Sequence, residues 1–207
     1  MWRKIIFILL INFLTEGLTN AQSPFENWST LNIKGKINPK WTLAIEGEQR
    51  FNHPTHSVRY FHTDLGLVYK VNDDLSIGGY YRELYELKGE IRVRETRPHL
   101  DFFYKFHNRW KVRVRNEYQI KECDDNLFRF RFRPSYTYKI NETFSPFIQT
   151  EGFFVGTKLV RNRFNPGLAI KVGKMVIEPG YMLESNNKGT WSHIHIFWLN
   201  TKIKFSS

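Results

Sequence analysis

The sequence predicts an all-β chain, a transmembrane antiparallel up-and-down β-barrel of 10–12 strands built from hairpin repeats of about 34 residues. Three observations indicate this class. The chain begins with an export signal, a short turn motif recurs at nearly constant spacing, and apolar and polar residues alternate between the turns. A barrel is favoured because a closed sheet leaves no unpaired edge inside a membrane.

The N-terminus has the parts of a secretory signal peptide. Basic residues at positions 3 and 4 precede an apolar run at 5–14, and small or compact residues follow at 19–21. The apolar run is too short for a membrane-spanning helix, which needs about 20 residues. We therefore predict a Sec signal peptide at 1–21 and a single barrel domain at 22–207.

Charge and cysteine content restrict the compartment and the partners. The chain has 31 basic and 20 acidic side chains, a formal net charge of +11. This excess favours anionic partners, and export excludes nucleic acid, so outer-membrane lipid and lipopolysaccharide are the expected ones. The single cysteine, Cys123, cannot form an internal disulfide. The predicted location is the bacterial outer membrane, and no cofactor is expected.

A short turn motif recurs five times, and its lysines are separated by 34, 35, 34 and 32 residues. Each copy ends one alternating run, passes through Asn, Asp, Gly or Pro, and leads into the next run. The spacing accommodates two strands and their connections, so each repeat is predicted to be a hairpin. The lysines of the motif are Lys36, Lys70, Lys105, Lys139 and Lys171.

Tight turns alternate with looser segments, as in outer-membrane barrels, whose periplasmic turns are short and whose external loops are longer. Eleven runs are predicted to be strands, although bacterial single-chain barrels normally have an even number. The first run is therefore expected to be an extra strand or a lumen segment, which leaves ten strands in the barrel. Alternatively, a further strand near Gln22 brings the number of strands to twelve. The predicted strands are 28–37, 41–51, 58–71, 75–87, 91–106, 110–121, 127–140, 144–155, 160–172, 175–184 and 192–205.

Alternation also assigns the two faces of each strand. In the run 127–140, three arginines alternate with aromatic residues. An arginine in the middle of a bilayer costs about 2–4 kcal/mol, so the aromatic side must face lipid. The predicted lipid-facing and girdle residues are Trp41, Trp110, Phe128, Phe130, Phe132 and Tyr138.

The opposite faces predict a lumen lined by arginine and glutamate. Long charged side chains on neighbouring strands can pair and fill a small barrel, so a salt-bridged interior that holds the wall together is expected. A selective, anion-attracting channel is the alternative interpretation. The predicted lumen cluster is Glu46, Glu48, Arg50, Arg113, Arg115, Glu117, Arg129, Arg131, Arg133, Glu151, Arg161 and Arg163.

No catalytic residue and no metal site are predicted. Ser192 and His193 form a compact pair and are weak candidates for a lipid hydrolase, but no acidic residue can be assigned to orient the histidine. His53 and His56 lie in one loop, and His193 and His195 near another. Neither pair has the carboxylate or cysteine spacing that would complete a metal site.

Several segments together resemble a known family. They are the repeated turns, Glu-Gly-Glu-Gln-Arg at 46–50, Leu-Gly-Leu-Val-Tyr at 65–69 and Gly-Gly-Tyr-Tyr-Arg at 78–82. In this combination the chain resembles DUF2490, a family of uncharacterised bacterial outer-membrane β-barrel proteins, over almost all of 22–207. The resemblance implies an outer-membrane barrel and supplies no activity or catalytic residues.

The last predicted strand ends in an aromatic residue, Phe205, followed by two serines. This end resembles the C-terminal signal that the barrel-assembly machinery reads, so that machinery is an expected partner. The expected function is structural or passive transport of small solutes, with no ligand identified. The alternative is a lipid-modifying enzyme of the outer leaflet that uses Ser192 and His193.

Overall fold

In the computed structural model, which describes residues 25–52 and 58–205, the chain forms a closed barrel of eleven strands. Within these two ranges, no helix is long and apolar enough to cross a membrane. The predicted signal peptide at 1–21 and the loop histidines His53 and His56 lie outside the described residues. The strands are β1 Phe25–Lys36, β2 Trp41–Asn52, β3 Val58–Lys70, β4 Leu75–Lys88, β5 Ile91–Phe106, β6 Trp110–Lys121, β7 Leu127–Thr137, β8 Phe144–Val155, β9 Lys158–Val172, β10 Met175–Asn187 and β11 Trp191–Phe205.

The predicted all-β barrel is confirmed, and every strand bound lies within three residues of its predicted position. The number of strands is eleven, within the predicted range of 10–12, and the expectation that every strand pair is antiparallel is wrong. Strands in up-and-down order alternate in direction, so the first and last of eleven run the same way and can only pair in parallel. β1 pairs with β11 in this way, from Phe25 beside His195 to Gly35 beside Phe205. The run 28–37 is therefore part of the wall.

A small apolar core covers the inner side of the parallel seam. Trp28 on β1, Met182 on β10, and Ile196 and Trp198 on β11 are buried together, and Phe147 packs against them. The rings of Phe147 and Trp198 meet edge to face, with centroids 6.2 Å apart. Burial of each large apolar side chain contributes about 1.5–3 kcal/mol, which supports the closure of the barrel.

The repeated turns share a hydrogen-bonding pattern in three of their five copies. The side-chain oxygen of an asparagine accepts hydrogen bonds of 2.7–3.0 Å from the backbone N–H groups two and three residues further on. Another copy turns through His107 and Asn108, at φ 50° and 54°, and the fifth through Gly173 at φ 58°. The three asparagines are Asn38, Asn72 and Asn141.

Each lysine of the repeat lies within two residues of a strand end, at the tight-turn end of the barrel. In two turns the lysine ion-pairs with an exposed carboxylate three residues later, Lys70 with Asp73 and Lys139 with Glu142, each at 2.5 Å. Hydrogen bonding to these lysines lowers the pKa of both carboxyl groups. The motif therefore combines a backbone turn with a local surface ion pair.

Two inward glycines make room for a tyrosine ring. Gly66 on β3 and Gly78 on β4 lie against the ring of Tyr80. This ring stacks on His99, with centroids 4.9 Å apart and planes inclined by 6°. Gly66 and Gly78, one from each of the segments 65–69 and 78–82, thus allow the Tyr80 ring to lie flat against the inner face of the wall.

Replacing Gly66 with alanine is expected to destabilise the barrel by about 1–3 kcal/mol, because the added methyl group would overlap the ring of Tyr80. The matched control is Gly79→Ala on the outer face, where the nearest heavy atom, on Leu100, is 3.8 Å away. Urea unfolding of both variants in the same lipid or detergent measures the difference. Equal unfolding midpoints would contradict the close packing around Tyr80.

Candidate functional site

The outer face of the barrel is apolar and exposed. Phe128 and Phe132 on β7 are 56% and 41% exposed, while the arginines between them are buried. Phe130 is half-buried against Phe154, with ring centroids 6.0 Å apart. All of the predicted lipid-facing residues lie on this outer side, and those that are exposed are Trp41, Trp110, Phe128, Phe132 and Tyr138.

The candidate functional site is the lumen, where all twelve predicted lumen residues lie. Eleven of them line a cavity of about 420 Å³. Glu117 is buried behind the cavity, and its carboxylate accepts a hydrogen bond of 2.6 Å from Arg129. The cavity-lining members are Glu46, Glu48, Arg50, Arg113, Arg115, Arg129, Arg131, Arg133, Glu151, Arg161 and Arg163.

One layer of the lumen joins strands β2, β3 and β4. Arg82 donates from Nε to Asp64 at 3.0 Å and from Nη2 to Glu46 at 3.2 Å. Nε2 of His62 lies 3.1 Å from Glu46. Arg82 was not among the residues predicted for the lumen cluster, although the alternation along 78–82 places it inward beside Tyr80.

The same layer contains the described side chains whose spacing best suits a metal. Ligand atoms of Glu46, His62 and Asp64 lie within 4.8 Å of one another. Arg82 already donates to both carboxylates, so its guanidinium occupies the position between them that a cation would take. The ion-paired network explains this arrangement, and the absence of a metal site stays a prediction.

A second network joins strands β5 to β8. Arg115 donates two hydrogen bonds to Asp101, at 2.6 and 2.7 Å, and both side chains are buried. Arg131 lies between two carboxylates and donates to Glu117 at 3.1 Å and to Glu151 at 3.1 Å. These charges are fixed by bonds to the wall, since each arginine bonds to a carboxylate on a nearby strand.

Two buried aromatic rings organise the arginines. The ring of Phe153 has four guanidinium groups within 4.5–5.5 Å of its centroid. The ring of Trp28 has Arg50 at 3.6 Å and Arg163 at 4.8 Å. Cation–π contacts of this kind hold the guanidinium planes in place. Phe153 was not among the predicted lumen residues, although its position two residues after Glu151 on the same strand indicates that it points inward. The four arginines are Arg129, Arg131, Arg161 and Arg163.

The structure does not bring Ser192 and His193 together, which corrects their pairing as candidate catalytic residues. Neighbouring residues of a strand point to opposite faces, so Ser192 lines the cavity while His193 lies on the outer face. Nδ1 of His193 lies 2.9 Å from Oγ of Ser185 instead. Nδ1 of His195 lies 2.5 Å from the hydroxyl of Tyr181.

Two further residues singled out in the sequence lie at the ends of the barrel. Phe205 is the last residue of β11, and its exposed side chain lies at the tight-turn end. The serines after it lie outside the described residues. Cys123 is an exposed free cysteine in the connection between β6 and β7, in line with a loop residue without a packing role.

Fold and site together define a class, a closed β-barrel with an apolar outer face and a charged, ion-paired interior. A family model described as "Protein of unknown function (DUF2490)" matches residues 25–193, and the chain belongs to this family. No curated protein matches the sequence. The resemblance drawn from 46–50, 65–69 and 78–82 is thus confirmed. In the structure these three segments contribute Glu46, Gly66 and Arg82 to one layer of the lumen, where Gly66 leaves space for the ring of Tyr80.

Proposed function

We propose that this chain is an exported outer-membrane β-barrel that acts as a structural barrel, closed to bulk ion flow by its own side chains. The distribution of polarity carries the proposal. Aromatic and aliphatic side chains lie exposed on the outside, and arginine–carboxylate pairs lie buried inside. This is the arrangement expected of a wall that meets hydrocarbon outside and a polar lumen inside.

The outer face also supports an orientation in the membrane. Next to the tight turns, the outward residues are apolar, for example Trp41, Leu43 and Ile45 on β2. Towards the looser loops, polar residues reach the outer face, and Glu83 pairs there with Arg94 at 2.9 Å. We place the tight-turn half in the bilayer, with its turns in the periplasm. The loop half then faces lipopolysaccharide headgroups.

Contacts across the bore support the closed state. Nζ of Lys34 on β1 lies 5.8 Å from the ring centroid of Phe103 on β5, four strands around the wall. Arg163 on β9 reaches Trp28 on β1, with 4.8 Å between guanidinium and ring centroid. Side chains of a small barrel fill its interior in this way. A cavity of about 420 Å³ lies among the inward side chains.

Planar-bilayer recording tests the proposal. The purified wild-type protein is expected to give no stable current steps over a range of voltages and salt concentrations, because bonded side chains cross the bore. Flotation with lipid vesicles verifies membrane insertion in the same preparation. A reproducible current would contradict the closed state. An anion preference of that current would instead support the second candidate, passive anion transport, which the excess of arginine around the cavity favours.

A further inference from the structure

The strand register places arginines directly opposite one another inside the barrel. Arg113 on β6 pairs with Arg133 on β7, and Arg115 pairs with Arg131 one step along. All four line the cavity. Like charges directly opposite on a sheet are destabilising, so each guanidinium group requires a nearby negative charge.

Among the described residues, the carboxylates are too few to give every one of these guanidinium groups its own negative charge. Glu151 ion-pairs with both Arg113 and Arg131, and Glu117 with both Arg129 and Arg131. In the part of the chain that the structure describes, Arg133 has no ion pair and no side-chain hydrogen bond. Three arginines on β6 and β7, Arg113, Arg129 and Arg131, therefore share two glutamates, which leaves Arg133 without an ion pair in the described barrel.

The neighbouring wall adds a further positive charge. Arg161 and Arg163 on β9 share Glu184, at 3.6 and 2.7 Å. Over residues 25–52 and 58–205, Nε of Arg113 is also a buried donor with no hydrogen-bond partner. A buried donor without an acceptor is energetically unfavourable. This wall thus has more guanidinium groups than carboxylates, and Arg133 lines the cavity without an ion pair to any described carboxylate.

We propose that the cavity binds a small multivalent oxyanion, with phosphate or several carboxylate groups, and that Arg133 and Arg113 are its principal ligands. Guanidinium groups bind such anions through paired, charge-assisted hydrogen bonds. The volume of about 420 Å³ lies within the range of small-molecule sites, about 300–1,000 Å³. The inference concerns the lumen alone, and it holds whether or not the barrel conducts ions.

The anion is a free solute and not a lipid headgroup. Eleven hydrogen-bonded strand pairs close the described barrel, and within its paired stretch the β7–β8 register omits only Arg133 and Pro134. Arg133 lines the cavity inside, so a headgroup whose acyl chains stay in the bilayer would have to cross the wall to reach it. A soluble anion can enter from the loop end, where Lys188 and Ser192 line the cavity.

Isothermal titration calorimetry of the full-length mature barrel in detergent tests the site, with inorganic phosphate and citrate as probes and sodium chloride holding the ionic strength constant. We expect saturable binding of at least one probe. Arg133→Gln is expected to weaken it by about tenfold or more, since one charge-assisted contact is lost. The control Arg92→Gln removes an exposed arginine outside the cavity and is expected to leave binding unchanged.

Thermal unfolding of the same proteins separates loss of the site from loss of the fold. Without anion, Arg133→Gln is expected to unfold at or above the wild-type temperature, because the substitution relieves repulsion with Arg113. The probe is expected to raise the unfolding temperature of the wild type and of Arg92→Gln, but not that of Arg133→Gln. Absence of saturable binding by the wild type, or equal binding by Arg133→Gln, would overturn the proposal. Binding of a short-chain phospholipid in place of both probes would overturn its assignment to a free solute.

Discussion

Replacing Glu151 with glutamine is expected to lower the free energy of unfolding by about 3–5 kcal/mol, the usual cost of removing one partner of a buried ion pair. The Glu151 side chain is 6% exposed and accepts hydrogen bonds from Arg131 at 3.1 Å at each of its two oxygens. It also ion-pairs with Arg113. The amide would leave Arg131 with Glu117 as its ion-pair partner and, among the described residues, would leave Arg113 without one.

Equilibrium urea unfolding in lipid vesicles, followed by tryptophan fluorescence, measures this effect. Glu142→Gln is the matched control, since it makes the same chemical change to a glutamate that is 82% exposed and paired with Lys139 in a tight turn. An exposed pair of this kind contributes little, so no measurable change is expected. If both variants unfolded at the same urea concentration, the interior network would not stabilise the barrel.

The strands and their faces could be predicted because alternation with a period of two is visible in the sequence. Along 127–140, three arginines alternate with large apolar residues, and a shift of one residue would turn all three arginines outward. The direction of each side chain followed from this pattern. The same rule places Ser192 and His193 on opposite faces of their strand, so the sequence alone argues against their pairing.

Closure of the barrel could not be predicted in the same way. Eleven runs are visible in the sequence, but the even number usual for bacterial barrels kept ten and twelve strands open beside eleven. The parallel pairing of β1 with β11 joins residues about 170 positions apart, such as Phe25 and His195. It depends on the buried core of Trp28, Ile196 and Trp198, whose contacts no local pattern encodes.

Local sequence patterns also do not predict which charged side chains pair with one another inside the lumen. Glu151 bonds to arginines 20 and 38 positions away, because the register of three strands brings them to one level. Alternation identifies inward residues, but it does not distinguish a paired arginine from Arg133. That distinction depends on the reach and rotamer of each side chain, and it decides where the lumen can accept an anion.

Replacing Phe132 with arginine is expected to destabilise the barrel in lipid vesicles by about 2–4 kcal/mol, because it exposes a charge to the middle of the proposed apolar band. Phe132 lies on the outer face of β7 between two inward arginines. The substitution removes little packing inside the barrel, so most of the effect comes from the lipid.

The matched control for this prediction is Thr63→Arg, at an exposed outward position of β3 that pairs with Glu83. Near an interface the same charge costs about 0–1 kcal/mol. The difference in unfolding free energy between the two variants therefore reports how deep each position lies in the bilayer. A barrel that is soluble in water would tolerate arginine equally well at both exposed positions. Equal unfolding free energies in vesicles would thus contradict the membrane location, while leaving the ion-paired interior and its anion site unaffected.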